Sequence, residues 1–436
     1  MTSKTTLSRS AALYQRALGV MPGGVSRNTV LRKPHPLYAD HASGCRVTDI
    51  EGVERIDFAN NMASLIHGHA HPAITAAVTE QLGKGTAFTM ATEVEIEYAE
   101  HLCSRSDAFE KLRFVNSGTE AIMGAVKASR AFTGRSKMAK VEGAYHGLYD
   151  YAEISQTSKP TTWGAIESPI SVPVYRGTPA SALSDVVVIP FNDTERALKI
   201  LDAHRGDLAC VLLDLMPHRV GLSPADMNYV SAIRDWTHQD GSLLVLDEVI
   251  TFRSDYGGAQ AWYGIEPDLT AMGKLIGGGF PVGAMAGRAE VMDVMNPLAE
   301  TVLFPHSGTF SANPITMTAG LTAMQLLDES EIARINALAE RAIRGIEAAI
   351  SKTGATACVT GGGSMFRVHM KSLPPLGYRE AFATPEEAIR LERLLDHLFE
   401  KGFMMINTCS ATISTAMTEA EIDALVAAFE SGFRTL

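Results

Sequence analysis

The chain predicts an α/β fold with a mostly parallel central sheet in a large domain, joined to a smaller α+β domain built from both termini. Three observations carry this. Between about residues 65 and 300, short apolar runs at 112–115, 137–141, 186–189, 208–213, 242–246 and 284–287 alternate with stretches of helical periodicity, the rhythm of a parallel sheet covered by helices. Ahead of that region, residues 45–49 and 55–58 read as two strands around a turn at Glu51-Gly52. Behind it, long helical stretches after Met317 lead into three glycines at 361–363, a strand at 365–370, a helix near 385–401 and a short extended run from Phe403. The expected division is an N-terminal arm and small subdomain at 1–64, a large domain at 65–312 and a C-terminal small domain at 313–436.

At 436 residues the chain is long enough for a large core with one or two satellites. Its 46% hydrophobic and 20% charged residues are ordinary for a globular protein. With 38 basic against 49 acidic residues the net charge is -11, which argues against a nucleic-acid surface or a polybasic membrane patch and favours small-molecule chemistry. Five scattered cysteines with no Cys-x-x-Cys pair indicate neither a disulfide framework nor a zinc knuckle, and fit a reducing cytoplasm. No apolar run is long enough to span a membrane. The opening ten residues are basic and Ser-rich, as transit peptides are; the alternative is an amphipathic helix over 7–18, ended by Met-Pro-Gly-Gly.

Four places along the strands carry chemistry. Phe-Val-Asn-Ser-Gly-Thr-Glu-Ala at 114–121 sets a small hydroxyl-bearing turn between a strand and a helix. Free N–H groups there, with the hydroxyls of Ser117 and Thr119, suit a phosphate, while a plain N-cap before Glu is the other reading. Glu-Gly-Ala-Tyr-His-Gly at 142–147 follows the next strand and puts Tyr145 at the ligand-binding edge, where it stacks on an aromatic ligand or is simply half-buried. Asp247 ends the run Leu-Leu-Val-Leu and needs a cation, either a pyridinium nitrogen or an arginine such as Arg253. Lys274, in Met-Gly-Lys-Leu-Ile-Gly-Gly-Gly, comes 27 residues after Asp247. Alone it reads as a surface lysine; in this order it reads as a Schiff-base amine. An amine and a carboxylate so placed suit pyridoxal phosphate, whose aldehyde needs the first and whose ring nitrogen needs the second.

The segments Asn-Ser-Gly-Thr-Glu-Ala, Gly-Ala-Tyr-His-Gly, Leu-Asp-Glu-Val-Ile-Thr-Phe-Arg, Gly-Lys-Leu-Ile-Gly-Gly-Gly-Phe-Pro-Val-Gly-Ala and His-Ser-Gly-Thr-Phe-Ser-Ala-Asn-Pro resemble, in this order, class III (subgroup II) aminotransferases of fold type I. The likeness runs from about residue 15 to the end. It is greatest to the branch of glutamate-1-semialdehyde 2,1-aminomutase and β-amino acid aminotransferases. It implies pyridoxal 5'-phosphate, with Ser117, Gly118 and Thr119 on the phosphate, Tyr145 and His146 beside the ring, Val249 against its other face, Asp247 at the pyridine nitrogen and Lys274 as the Schiff-base lysine. It also implies a homodimer in which Thr309 reaches the phosphate of the partner subunit's cofactor.

One departure stands out. Where relatives carry Glu-Pro, this chain has Asp214-Leu215-Met216-Pro217-His218-Arg219, a loop that either lines the site through Met216, His218 or Arg219 or simply faces solvent. On the substrate side, Pro-Gly-Gly-Val-Ser-Arg at 22–27 is similar to the loop of β-phenylalanine aminotransferases, which makes Arg27 the expected carboxylate clamp and Arg32 its rival. Residues 403–433 contain no Lys or Arg, so the second arginine of those relatives is missing there; Ile406, Asn407, Thr408 and Cys409 make a weakly polar wall that favours substrates with one carboxylate. His67, His69 and His71 are too crowded for three metal ligands, and no metal is expected. The implied reaction moves an amino group between a β- or ω-amino acid and a keto acid. The alternatives are the intramolecular aminomutase and a non-catalytic PLP-binding regulator, whose DNA-binding domain has no counterpart in the some 40 residues before the first strand pair.

Overall fold

A computed structural model describes residues 8–436. Helix Arg9–Leu18 starts at Ser8, whose hydroxyl accepts the Ala11 N–H at 3.2 Å, and stops at Gly19 ahead of Pro22. The amphipathic helix is therefore present; most of the transit-like opening, residues 1–7, lies outside the described residues.

The centre is a seven-stranded sheet in the order Lys111–Val115, Gly283–Gly287, Leu269–Gly273, Leu243–Asp247, Leu208–Leu213, Lys137–Val141, Val186–Ile189. Only Gly283–Gly287 runs against the others. The central strands Leu208–Leu213 and Leu243–Asp247 are buried at every position, which is why they read as continuous apolar runs rather than alternating ones. Strand Leu269–Gly273 departs from the expected set. Leu-Thr-Ala-Met-Gly has no alternation and no β-branched run, and it becomes a strand because neighbours on both sides supply its ladder.

Two smaller sheets come from the chain ends. Strands Ala39–Ser43, Arg46–Asp49 and Glu54–Asp57 form a meander, one strand more than expected, and Phe403–Met404 joins it parallel to Glu54–Asp57. Cys358–Gly362, Met365–His369 and Ser410–Thr412 make the other, so the expected strand at 365–370 gains a partner on each side. Helix Glu419–Phe433, which no expectation covered, buries Ile422, Leu425 and Phe429 in the core shared with helix Glu329–Thr353.

Between the first meander and the large sheet the backbone turns left-handed over four successive L-residues: φ is 45° at Asn60, 47° at Asn61, 59° at Met62 and 69° at Ala63. Each costs about 1–2 kcal/mol. Asp57 Oδ1 accepts the N–H groups of Ala59 and Asn60, both at 2.9 Å, and Asn60 Nδ2 donates to the Thr412 carbonyl at 2.8 Å. The turn is thereby locked against strand Ser410–Thr412. Of the three histidines that follow, His67 meets Thr415 Oγ1 and the Ala323 carbonyl, His69 meets Asp57, and the Nδ1 of His71 is buried without a partner. Among the described residues no group of three or more metal-ligating side chains exists.

Candidate active site

The chemistry-bearing residues leave the carboxyl ends of five parallel strands, the edge at which open α/β sheets bind ligands. Beyond Lys111–Val115, Ser117 caps helix Gly118–Thr133 and accepts the Glu120 N–H at 3.1 Å. The N-cap reading holds, and the capping oxygen leaves the Ser117 O–H free to donate. Glu120 reaches back to the Asn116 N–H at 2.8 Å, and the N–H groups of Gly118 and Thr119 have no acceptor among the described residues. A helix N-terminus with free N–H groups is suited to a phosphate. A Cβ on Gly118 would lie 2.9 Å from Val249 Cγ1, and one on Gly147 would strike Thr119 Oγ1, so glycine is required for the turn to close.

Asp247 ends strand Leu243–Asp247 and is buried. Its Oδ2 meets His146 Nδ1 at 2.7 Å and its Oδ1 accepts the Val249 N–H at 3.0 Å. The Arg253 alternative is overturned: that guanidinium turns away to Ser364 Oγ and the Ile413 carbonyl. Burial keeps His146 below its ordinary pKa against the opposing pull of Asp247, so a neutral ring donates from Nδ1 and leaves a buried Nε2 without a partner. A carboxylate has about four acceptor positions, and the two used here leave room for a pyridine N–H.

Sheet register explains the spacing to Lys274. Asp247 lies opposite Ala271 on the parallel neighbour, and Lys274 follows three residues later, at φ 47°. Burial lowers its amine below the ordinary lysine value, while Asp247 and Asp214 pull it back up. It is not a surface lysine. On the other side Leu213 pairs with Leu246, which puts Asp214 beside Asp247. Burial first and then Asp247 push the Asp214 carboxyl well above the usual carboxylate range. Asp214 was legible by the signal that marked Asp247, a carboxylate ending a fully apolar strand.

The 214–219 loop does line this region. Met216 is buried against Leu222, Met365 and Ile250. The Arg219 guanidinium lies 4.8 Å from the centre of the Tyr145 ring, which is 40% exposed and so has room for a ligand. His218 shares Nε2 with Thr408 Oγ1 at 3.0 Å and Ser410 Oγ at 3.1 Å, tying the large sheet to the C-terminal one. Arg27 donates to Asn61 Oδ1 at 2.7 Å, on the left-handed turn; Arg32 pairs with Asp396 at 2.7 Å and stacks 3.6 Å from the Phe399 ring. Thr309 sits in an exposed loop beside Ser311, whose Oγ touches Asn116, and has no bond to the cradle of its own chain.

The class-III aminotransferase profile matches residues 29–431. The chain belongs to the class-III aminotransferases. Within this family it is 37% identical to the glutamate-1-semialdehyde 2,1-aminomutase of Methanothermobacter thermautotrophicus over 86% of each chain. The solved omega-transaminase of Sphaerobacter thermophilus superposes with a TM-score of 0.96 at 44% identity, covering 98% of this chain and 97% of that one. A transaminase with PLP bound is 43% identical (TM-score 0.90, 98% and 97%), and the β-phenylalanine aminotransferase of Variovorax paradoxus is 29% identical (TM-score 0.84, 97% and 93%). The protein is a PLP-dependent transaminase of fold type I. Its residues fit the cofactor: the free N–H groups at Gly118 and Thr119, the acceptor capacity left on Asp247 and the depressed amine of Lys274 are what a phosphate, a pyridine nitrogen and an aldehyde require.

Proposed function

We propose that this transaminase takes its amino group from a β- or ω-amino acid bearing one carboxylate and passes it to a keto acid, as a cytoplasmic homodimer. The observation that carries the donor reading is Arg27, an arginine held by Asn61 and paired with no carboxylate among the described residues. Its fork grips the donor carboxylate and fixes the amino group at the reacting position. The lysine- and arginine-free stretch 403–433, with Ile406 and Cys409 buried, supports a side-chain pocket without a charge of its own. The named omega-transaminase and β-phenylalanine relatives support the same class.

Bound in the cradle, pyridoxal phosphate supplies an aldehyde that exchanges amino groups and a ring that withdraws electrons from the reacting carbon. Ser117, Gly118 and Thr119 hold its phosphate, Tyr145 and Val249 the ring faces, and Asp247, oriented by His146, keeps a proton at the ring nitrogen. Lys274, its basicity lowered by burial, carries a proton to and from the substrate carbon. Thr309 of the partner subunit completes the phosphate site, and residues 8–64 and 313–436 form the smaller unit beside the large domain 65–312. Five cysteines without a disulfide agree with the cytoplasm, and no described helix is long and apolar enough to cross a membrane.

The aminomutase reading has the 37% identical relative in its favour. Mixing the PLP form with α-, β- and ω-amino acids and with glutamate 1-semialdehyde separates the two. Loss of the cofactor's absorbance band with β- or ω-amino acids is expected; discharge by the semialdehyde alone overturns the donor assignment in favour of the aminomutase.

A further inference from the structure

Four arginines are depressed by burial, and one of them, Arg32, has Asp396. The other three have no carboxylate within ion-pair distance. Arg105 satisfies its charge with three carbonyls, those of Tyr256, Met324 and Leu327, and stacks on the Tyr256 ring. Arg253 has Ser364 Oγ and the Ile413 carbonyl. Both are closed off from solvent. Each of the three leaves one buried guanidinium nitrogen without an acceptor, Nη2 of Arg105, Nη1 of Arg253 and Nε of Arg367, but Arg367 makes a single hydrogen bond, to the His218 carbonyl at 2.9 Å, and its side chain stays partly open. A buried guanidinium so poorly matched calls for an anion, since an isolated charge is costly away from water and the fork offers two parallel N–H donors to a carboxylate.

What surrounds Arg367 suits that anion. Its strand partner in the sheet is Ser410, and Ser410 and Thr408 present hydroxyls at His218 Nε2. No acidic side chain competes: the field that acts on Arg367 besides burial comes from Cys409. His218, kept neutral at about 3 by burial and by Arg367, Arg219 and Lys274, lies within reach of the reacting amine's charge. The far end of the same strand, Ser410–Thr412, holds Asn60 and with it the turn that carries Asn61 and Arg27. Two arginines unpaired with carboxylates thus flank one strand.

We propose that Arg367, with His218, Thr408 and Ser410, binds the distal carboxylate of a dicarboxylic keto acid, making such a compound the amino acceptor. This rests on the transaminase activity and is independent of which donor is used. The chain would then treat its two substrates at different cations, a donor with one carboxylate at Arg27 and an acceptor with two at Arg367.

The test isolates the acceptor half-reaction by reconstituting the enzyme with pyridoxamine phosphate, so that no donor is needed and failure of the donor assignment leaves it intact. Single-turnover kcat/KM is measured for 2-oxoglutarate and for pyruvate. Wild type is expected to favour 2-oxoglutarate, and R367M to reduce that preference about tenfold or more, the size of a lost charge-assisted hydrogen-bond pair, with R367K between them. Glutarate should inhibit wild type competitively, and less well in R367M. Equal losses on both keto acids, a preference retained within that factor, or no preference in wild type overturns the proposal. Should R367M not fold, R367K and Ser410→Ala, read by the same ratio, decide it.

Discussion

The cofactor cradle and the substrate rim are built in opposite ways. The proposed cradle takes one short segment from the end of each of five strands of the large sheet: 117–119, 145–146, 214, 247–249 and 274 in chain order. The rim takes Arg27 from the N-terminal arm, Asn61 from a left-handed turn, His218 from a loop and Arg367, Thr408 and Ser410 from the C-terminal sheet. A sheet edge repeats the same position again and again, so function there is written locally. The rim exists only where distant segments meet, as where His218 meets Ser410, 192 residues away.

Breaking the cradle should have the larger effect. Lys274→Ala is expected to lower kcat about 10^4-fold, the upper range for a lost proton-transfer group, with circular dichroism unchanged. Asp247→Asn should cost about 10^2- to 10^3-fold in kcat. It should also let Asp214 ionise at lower pH, because the negative charge of Asp247 is one of the causes raising that carboxyl; an infrared pH titration of the carboxyl band checks this. If kcat survives either change, the cradle is not where the chemistry occurs.

At the rim the effect should fall on KM. Arg27→Ala is expected to raise KM for amino acid donors about 10- to 100-fold, with amines lacking a carboxylate changed by less than about twofold. Equal changes would remove Arg27 from the site. Asn61→Gly, which keeps the left-handed backbone but deletes the amide that holds Arg27, should raise the same KM about three- to tenfold with kcat little altered.

The smallest effect lies beneath the cradle. Lys140 is fully buried, donates to the Ala144 carbonyl at 3.0 Å and the Ile154 carbonyl at 2.7 Å, and so braces the turn that carries Tyr145. Burial brings its pKa down to about 7. Between that value and the ordinary lysine value the unfolded chain holds one more proton than the native one, so Lys140 makes stability rise with pH across that window. Lys140→Met should flatten the rise of Tm with pH above about 7, measured by thermal unfolding.

The same contrast explains what could be read in advance. Strands 186–189 and 208–213 announce themselves because burial on both faces leaves only apolar residues. Asp247 and Lys274 stand out against such runs because charge there needs a purpose. Strand Leu269–Gly273, which delivers Lys274, is silent because its identity comes from its neighbours. Arg32 and Arg27 are indistinguishable as letters five positions apart, and only the contact of Arg32 with Asp396, 364 residues away, separates them.

By itself the sequence determined the sheet's apolar strands, the glycine and hydroxyl turn at a helix N-terminus, and the order of tyrosine, aspartate and lysine, because each is a local consequence of burial or backbone geometry. Only the tertiary structure decided which arginines are spent on ion pairs and carbonyls and which remain uncompensated. That is a property of the whole fold, since a charge is free or satisfied according to what the rest of the chain brings within hydrogen-bonding distance of it.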